Sequence, residues 1–494
     1  METSRSRIFE NSIFIFLSVL ASGILVFLTI ILVARDLGAT AFGQFSFILA
    51  LCSIIQLFAD GGFISITIRN ISIDKEKLTE ILGNVLTVML LTSVIILFVS
   101  LIALLFVDTN LEFKLSLIVM LLAAFSMLQG LGYGAAIRAM EDMGITAIAS
   151  VVHKAFLLLL VWLAITTEQG LLGIAVAHLI ANLCYSVVLS YIVNIKYGRI
   201  FYTVNWQLWK FIITDSIPLG LSMLLRKLTV HLDTFFLILL STVAAVGIYS
   251  SAYRTLQMVE VAAVALSGVL FPVMSRLAKE SHKSLVELFN QSFFILMTLS
   301  LPLSIWFSLA SENLILIFYG EEYADAKNVL AVLGAALFLP VLASLNHPLF
   351  TAINKQKLLM FAALISLTLN VLLDIILIPR YSSFGAAIGT ACTESLICIL
   401  GLVLLHKNNI YLTNYRKLFY VVLSSVLSGY IYTLLPADQG IIIEALRLVV
   451  FFAFYVAALY ILGVFVTDDI RVFLGNLVKA KGTQDATTLG QFNK

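Results

Sequence analysis

Charge is scarce in this sequence. Asp, Glu, Lys and Arg make up 12% of its 494 residues, while 61% are hydrophobic. An ordinary soluble domain carries roughly 25% charged residues. A soluble chain of this length would form two to four domains, and the polar residues needed to coat them are missing. Cysteine is scarcer still, at four residues. Cys52, Cys184, Cys392 and Cys398 fall within apolar blocks, without C-x-x-C spacing or a His partner, which speaks against zinc and against a disulfide framework. No HExxH, P-loop or Ser-His-Asp arrangement occurs, and nothing calls for a metal or cofactor. No connection between apolar blocks exceeds about 20 residues, which leaves no room for a soluble catalytic domain.

What is present is a series of apolar blocks of about 20 residues, the length that crosses a hydrocarbon core of roughly 30 Å. Read between polar breaks, they give spans at 11–34, 42–68, 81–107, 114–138, 145–166, 171–195, 211–240, 245–272, 287–310, 327–352, 356–379, 384–405, 417–435 and 441–466. The expected fold is an all-α polytopic membrane protein of fourteen transmembrane helices. The apolar stretch after the basic start is too long for a signal peptide, so it reads as an uncleaved first span. Residues 73–82 and 277–289 are amphipathic and are expected to lie along the membrane surface. Residues 467–494 form a polar tail expected to be disordered.

Charge placement tests the span count. With a cytoplasmic N-terminus, the even-numbered connections and both termini hold 21 Lys and Arg, whereas the odd-numbered connections hold four: Arg35, Lys114, Lys327 and Arg380. One span more or fewer would scramble this alternation, so both termini are expected in the cytoplasm.

Spans 1–6 and 7–12 read as two copies of one unit. "RDLGATAFGQFSFIL" after span 1 pairs with "LLSTVAAVGIYSSAY" after span 7, which aligns Gly43 with Gly247. Six spans per unit keep both copies in one orientation, as in carriers that alternate access around a cleft between halves. The expected organisation is an N-lobe (1–196), a C-lobe (197–410), two additional spans (411–466) and the tail.

Span 7 contains Arg226, Lys227, His231 and Asp233. A charge at the bilayer centre costs about 2.5–3.5 kcal/mol or more, and so faces a partner or a watery cavity. Arg226 and Asp233 share a helical face but lie about 10 Å apart along the axis, too far to pair. Lys227 and His231 are both basic. The helix cannot satisfy its own charges. Candidates elsewhere are Arg254, Gln257 and Glu260 in span 8, Asp60 in span 2, His153 and Lys154 in span 5, His178 in span 6 and Glu394 in span 12.

The stretches "ENSIFIFLSVLASGILVFLTIILVARDLGATAFGQFSF", "SIPLGLSMLLRKLTVHLDTFFL" and "VGIYSSAYR" resemble the polysaccharide or O-antigen flippases, of the same superfamily as MATE drug exporters and lipid II flippases. The likeness is carried by Arg35, Leu37, Gly38 and Gly43, by Pro218-Leu219-Gly220, by Asp233, and by Gly247-Ile248-Tyr249 with Ala252-Tyr253-Arg254. It implies two six-helix lobes arranged as a V. The implied cargo is an oligosaccharide repeat on a polyprenyl diphosphate carrier, turned from the inner to the outer leaflet of a bacterial inner membrane. A glycan polymerase and a chain-length regulator are the implied protein partners. Thr29 and Ile30 stand where lipid II flippases place an Arg-Asp pair, which argues against a peptidoglycan precursor. The two extra spans lean away from drug export and are expected to cradle a lipid tail.

Under this reading Arg226, Lys227, Arg254, Lys154 and Arg35 engage the diphosphate, Gln257 and Tyr253 the sugars. The competing reading is a buried ion-pair network, Arg254 with Asp233 or Lys227 with Glu260, that only pins helices. Asp60, Asp233, Glu260 and Glu394 serve either proton or sodium coupling or simple charge balance. Asp374 and Arg380 are expected at the interface, with Trp206 and Trp209 as interfacial anchors. The alternative function is a MATE-type small-molecule exporter, whose cationic substrates Arg226, Lys227 and Arg254 would repel. A glycan polymerase would need large loops that are absent. The basic connections follow topology, so nucleic acid is not an expected partner.

Overall fold

Polar breaks in the sequence carry the capping residues that start helices. Asn110 accepts from the Phe113 amide at 2.9 Å, Asn205 from the Gln207 and Leu208 amides, and Ser281 from the Ser284 amide. In the computed structural model, which describes residues 2–106, 108–436 and 440–464, every regular element is helical. The order is α1 (Glu2–Asp60), α2 (Phe63–Ile73), α3 (Leu78–Leu105), α4 (Leu111–Ala139), α5 (Met143–Thr166), α6 (Gly170–Lys196), α7 (Trp206–Leu240) and α8 (Val243–Glu280). Then follow α9 (His282–Leu309), α10 (Ser311–Phe318), α11 (Ala326–Ala336), α12 (Phe338–Ala343), α13 (Asn346–Ala352), α14 (Gln356–Lys407), α15 (Tyr415–Leu434) and α16 (Ile441–Ile461).

Among the described residues, ten helices are long and apolar enough to cross a membrane, or eleven if the bent pair Val243–Gly268 and Val273–Glu280 is one span. Large apolar side chains such as Phe98 and Val187 are exposed, as expected where lipid replaces water. The 59 residues of α1 would measure about 90 Å if straight, three times the hydrocarbon thickness. The helix does not run straight: Gly38 (φ 70°, ψ 171°) interrupts it. The 52 residues of α14 are interrupted likewise at Ser382 (φ 53°).

Several expected elements differ in detail. Span 2 stops at Asp60, because Gly61 and Gly62 both adopt positive φ, and the chain restarts as α2. Span 10 is three short helices, α11–α13, with Pro340 and Pro348 in the second and third. Neither amphipathic stretch forms a separate surface helix. Residues 73–82 are a short 3₁₀ turn (Lys75–Lys77) leading into α3, and residues 277–289 are divided between the end of α8 and the start of α9. Local capping by Asp74 and Ser281 turns the chain directly into the next span. The tail 467–494 lies outside the described residues.

The chain forms two compact units, Met1–Ser250 and Ser251–Lys494. In the first, α4 packs along α6 and α1 along α5. Here the aligned glycines meet. A Cβ on Gly43 would stand 2.0 Å from the Val243 carbonyl oxygen, and one on Gly247 would stand 2.0 Å from that of Ala39. The contact is reciprocal, with each glycine facing the residue four before the other. In the second unit α9 is central, packing on α11, α12 and α15, with Phe294, Leu301, Val421, Tyr455 and Leu459 forming one apolar cluster.

Candidate functional site

The candidate ionisable side chains of spans 7 and 8 lie on α7 and α8. In the first unit, a ring nitrogen of His231 (Nε2) is 2.8 Å from Ser53 Oγ on the second arm of α1. Asp233 is 5% exposed and accepts the Tyr249 hydroxyl from the first turns of α8. Lys227 is half-buried. The Arg226 side chain lies outside the described residues, although its backbone is part of α7. This arrangement places an imidazole, an ammonium and a carboxylate along one helix.

The other candidates of this unit are dispersed. Lys154 is half-buried on α5 next to His153, whose ring contacts Asn182 Oδ1 at 2.9 Å and Tyr185 at 4.9 Å between centroids. Arg35 is exposed one turn before the Gly38 break. Asp60 is buried and accepts from the Ile64 amide at 3.1 Å. It therefore caps α2 across the Gly61–Gly62 break, a role that its position in an apolar block did not announce.

In the second unit, Arg254, Gln257 and Glu260 are half-buried along α8. Arg254 is within electrostatic range of Tyr253 and Tyr319. The Tyr319 hydroxyl is fixed by Thr255 Oγ1 at 3.0 Å. Glu394 is half-buried on α14. Asp374, expected at the interface, is fully buried within the protein, at 0% exposure. Asn370 and Ser366, four and eight residues earlier, are buried on the same helical face, and a Cβ on Gly389 would press on the Asp374 carboxylate at 2.9 Å. Among the described residues no group of three His, Cys, Asp or Glu is placed to hold a metal ion.

The sequence profile described as polysaccharide biosynthesis protein matches residues 8–278, more than half of the chain. The chain belongs to this family. The MatE profile also matches, over residues 218–376, so this polysaccharide biosynthesis protein is MATE-like. A capsular polysaccharide biosynthesis protein of Staphylococcus aureus is 24% identical over 388 residues, 77% of this chain and 94% of that relative. A probable low-salt glycan biosynthesis flippase of Haloferax volcanii is 26% identical, but over 32% of this chain and only 34% of its own length. A solved lipid II flippase in an inward closed conformation superposes with a TM-score of 0.76 at 16% identity, covering 91% of this chain and 98% of that one. A multidrug MATE transporter in an inward-facing conformation gives 0.66 at 19% identity, covering 78% and 94%. These two show the shared fold.

The family member also holds a polar centre that the sequence reading passed over. Of its thirty Lys and Arg, 25 lie in connections or termini, and the five left are Lys154, Arg226, Lys227, Arg254 and Arg447. Arg447 was thus visible by subtraction, with Glu444 one turn before it. Both are buried, at 8% and 3% exposure. Glu444 accepts from Arg447 Nη1 at 3.0 Å, Asn313 Nδ2 at 2.8 Å, Tyr432 Oη at 2.6 Å and Trp306 Nε1 at 3.3 Å. The Arg447 guanidinium also lies 3.9 Å from the Tyr432 ring centroid. The four donors meeting on one buried carboxylate mark this centre as a joint between α9, α10, α15 and α16.

A second joint holds the segment between α6 and α7. Asn84 of α3, 1% exposed, donates to Thr203 Oγ1 at 3.0 Å and accepts from the Asn205 amide at 2.8 Å and Trp209 Nε1 at 3.0 Å. Trp209 is therefore buried rather than an interfacial anchor, whereas its neighbour Trp206 is exposed. Nearby, Asp142 accepts from Lys196 at 2.8 Å and from the Tyr197 hydroxyl, and these bonds hold its carboxyl below the usual carboxylate range.

Proposed function

We propose that this protein is a flippase for oligosaccharide repeats linked to a polyprenyl diphosphate, turning them from the inner to the outer leaflet of a bacterial inner membrane for O-antigen, capsule or exopolysaccharide assembly. The observation that carries the reading is the concentration of ionisable side chains on two consecutive helices of a chain whose other cations are nearly all in connections. Family membership and the glycan-related names of the relatives support it. A carrier, rather than an enzyme, fits both.

In this reading α1 and α14 each make two passes and α11–α13 one. The total is fourteen spans in two six-helix lobes (1–196 and 197–410) plus α15 and α16, with both termini in the cytoplasm. Arg226, Lys227 and Arg254 face a watery path and take the diphosphate. A guanidinium offers two parallel N–H donors to phosphate oxygens, and an ammonium acts as a point charge. Lys154 and Arg35 extend the anion path, while Gln257 and Tyr253 hydrogen-bond sugar hydroxyls. Asp60, Asp233, Glu260 and Glu394 balance charge or exchange a proton or sodium ion during the cycle. The reciprocal Gly43–Gly247 contact supports alternating access, since two backbones that close can part without unthreading side chains. A polymerase and a chain-length regulator then take the product outside.

Deleting the protein is expected to trap carrier-linked repeats on the inner leaflet. Arg226→Glu and Arg254→Glu are expected to abolish export while leaving the protein in the membrane. Normal export by both variants would end the electrostatic reading. The MatE match favours one second reading, a coupled small-molecule exporter. Drug sensitivity on deletion, without trapped repeats, would select it.

A further inference from the structure

A polar cavity of about 520 Å³ lies away from all the residues assigned above, between the first turns of α9 and α15. Lys283 and Lys417 bring two ammonium groups to it and Glu287 one carboxylate, so its wall is net positive. Its floor is Phe294, whose ring centroid is 5.4 Å from Lys417 Nζ and which belongs to the apolar cluster of α9, α15 and α16. The wall is built rather than incidental. Asn290 donates to the Tyr411 carbonyl at 3.0 Å and accepts from the Thr413 amide at 2.7 Å, fixing the connection that closes the cavity.

That connection ends at Asn414, in left-handed backbone (φ 60°), whose side chain makes no capping bond to α15. The first-turn amides of this 20-residue helix thus lack a side-chain cap and suit an anionic acceptor. Two cations, a helix start and an apolar floor together describe an amphiphile with a negative head. Positive charge gathers in these connections, at the level where lipid phosphates sit.

We propose that this cavity binds the phosphate of an anionic phospholipid of the phosphatidylglycerol class, with the glycerol and first methylenes over Phe294. The proposal is independent of what the protein transports.

The test uses the full-length protein in detergent, titrated with phosphatidylglycerol and with phosphatidylcholine, and bound lipid counted by native mass spectrometry. A lysine near an anionic lipid is worth about 1 kcal/mol, roughly fivefold in affinity. Lys283→Gln and Lys417→Gln should each weaken phosphatidylglycerol binding about fivefold, and together roughly 25-fold. Glu287→Gln should strengthen it. Lys279→Gln, an exposed cation one turn before Lys283 and outside the cavity, should change it less than twofold. Equal losses from Lys279→Gln and Lys283→Gln, or equal retention of both lipids by the parent, would overturn the proposal. So would displacement of the lipid by inorganic phosphate at millimolar concentration, which would make the cavity a free-anion site. Because no transport is measured, these outcomes are distinct from failure of the flippase reading.

Discussion

Replacing Glu444 by Gln removes one charge from the α16 joint and almost no volume. The parent carboxylate accepts four donors from Trp306, Asn313, Tyr432 and Arg447. An amide oxygen cannot serve all four, and its NH₂ would face donors. Arg447, 8% exposed, is left as a buried charge whose remaining contacts are the Tyr432 carbonyl at 3.3 Å and the Tyr432 ring. Removing one partner of such a pair typically costs about 3–5 kcal/mol, whereas replacing both by apolar groups is near neutral. Glu444→Gln should therefore destabilise strongly, and Glu444→Gln with Arg447→Met should recover most of the loss, with a coupling energy above about 2 kcal/mol. The assay is reversible unfolding of purified protein in mixed micelles, followed by tryptophan emission because Trp306 belongs to the joint. A single variant within about 1 kcal/mol of the parent, or a double variant whose loss is the sum of the singles, would show that the four contacts carry no net stabilisation.

Gly43→Ala and Gly247→Ala should disturb the protein alike, because each Cβ meets backbone that cannot rotate away. Overpacking of this kind costs about 1–3 kcal/mol, and cysteines placed beside the crossing should become more reactive to water-borne thiol reagents. Asn84→Leu leaves the Trp209 indole N–H and the Asn205 amide without their acceptor, at about 1–3 kcal/mol for the buried donor, and limited proteolysis should then cut between 197 and 205. Asp142 has a depressed carboxyl pKa, so its contribution is fully present above the ordinary carboxylate value and fades as pH falls through the lower folded value. Parent minus Asp142→Asn stability should shrink on acidification and with added salt, and stay under about 1 kcal/mol because both groups are partly solvated.

The helical character and membrane class were legible because apolar length and connection charge obey the bilayer, which acts on every span alike. Gly43 and Gly247, which the sequence aligned, meet in the structure at a crossing where neither position tolerates a Cβ. What escaped were the particular contacts that composition and periodicity do not show, local or distant. Asp60 reads as a charge in an apolar run and is a helix cap. Asp374 reads as interfacial from its nearness to a span end, yet the turn at Ser382 folds the following arm over it.

Glu444 and Arg447 show why counting charges is not enough to find a site. All five cations inside the spans carry the same insertion penalty, so the sequence ranks them equally. The structure shows how one of them, Arg447, is held. It is met by a carboxylate one helical turn away, a carbonyl and an aromatic face, and that pairing was selected for cohesion. Arg254 has Tyr253 and Tyr319 within electrostatic range, and Lys227 lies half-buried on α7. A cation needed only to join helices gains nothing from partial compensation. One that must release and rebind an anion in each cycle requires it, because full neutralisation by a carboxylate would compete with the cargo.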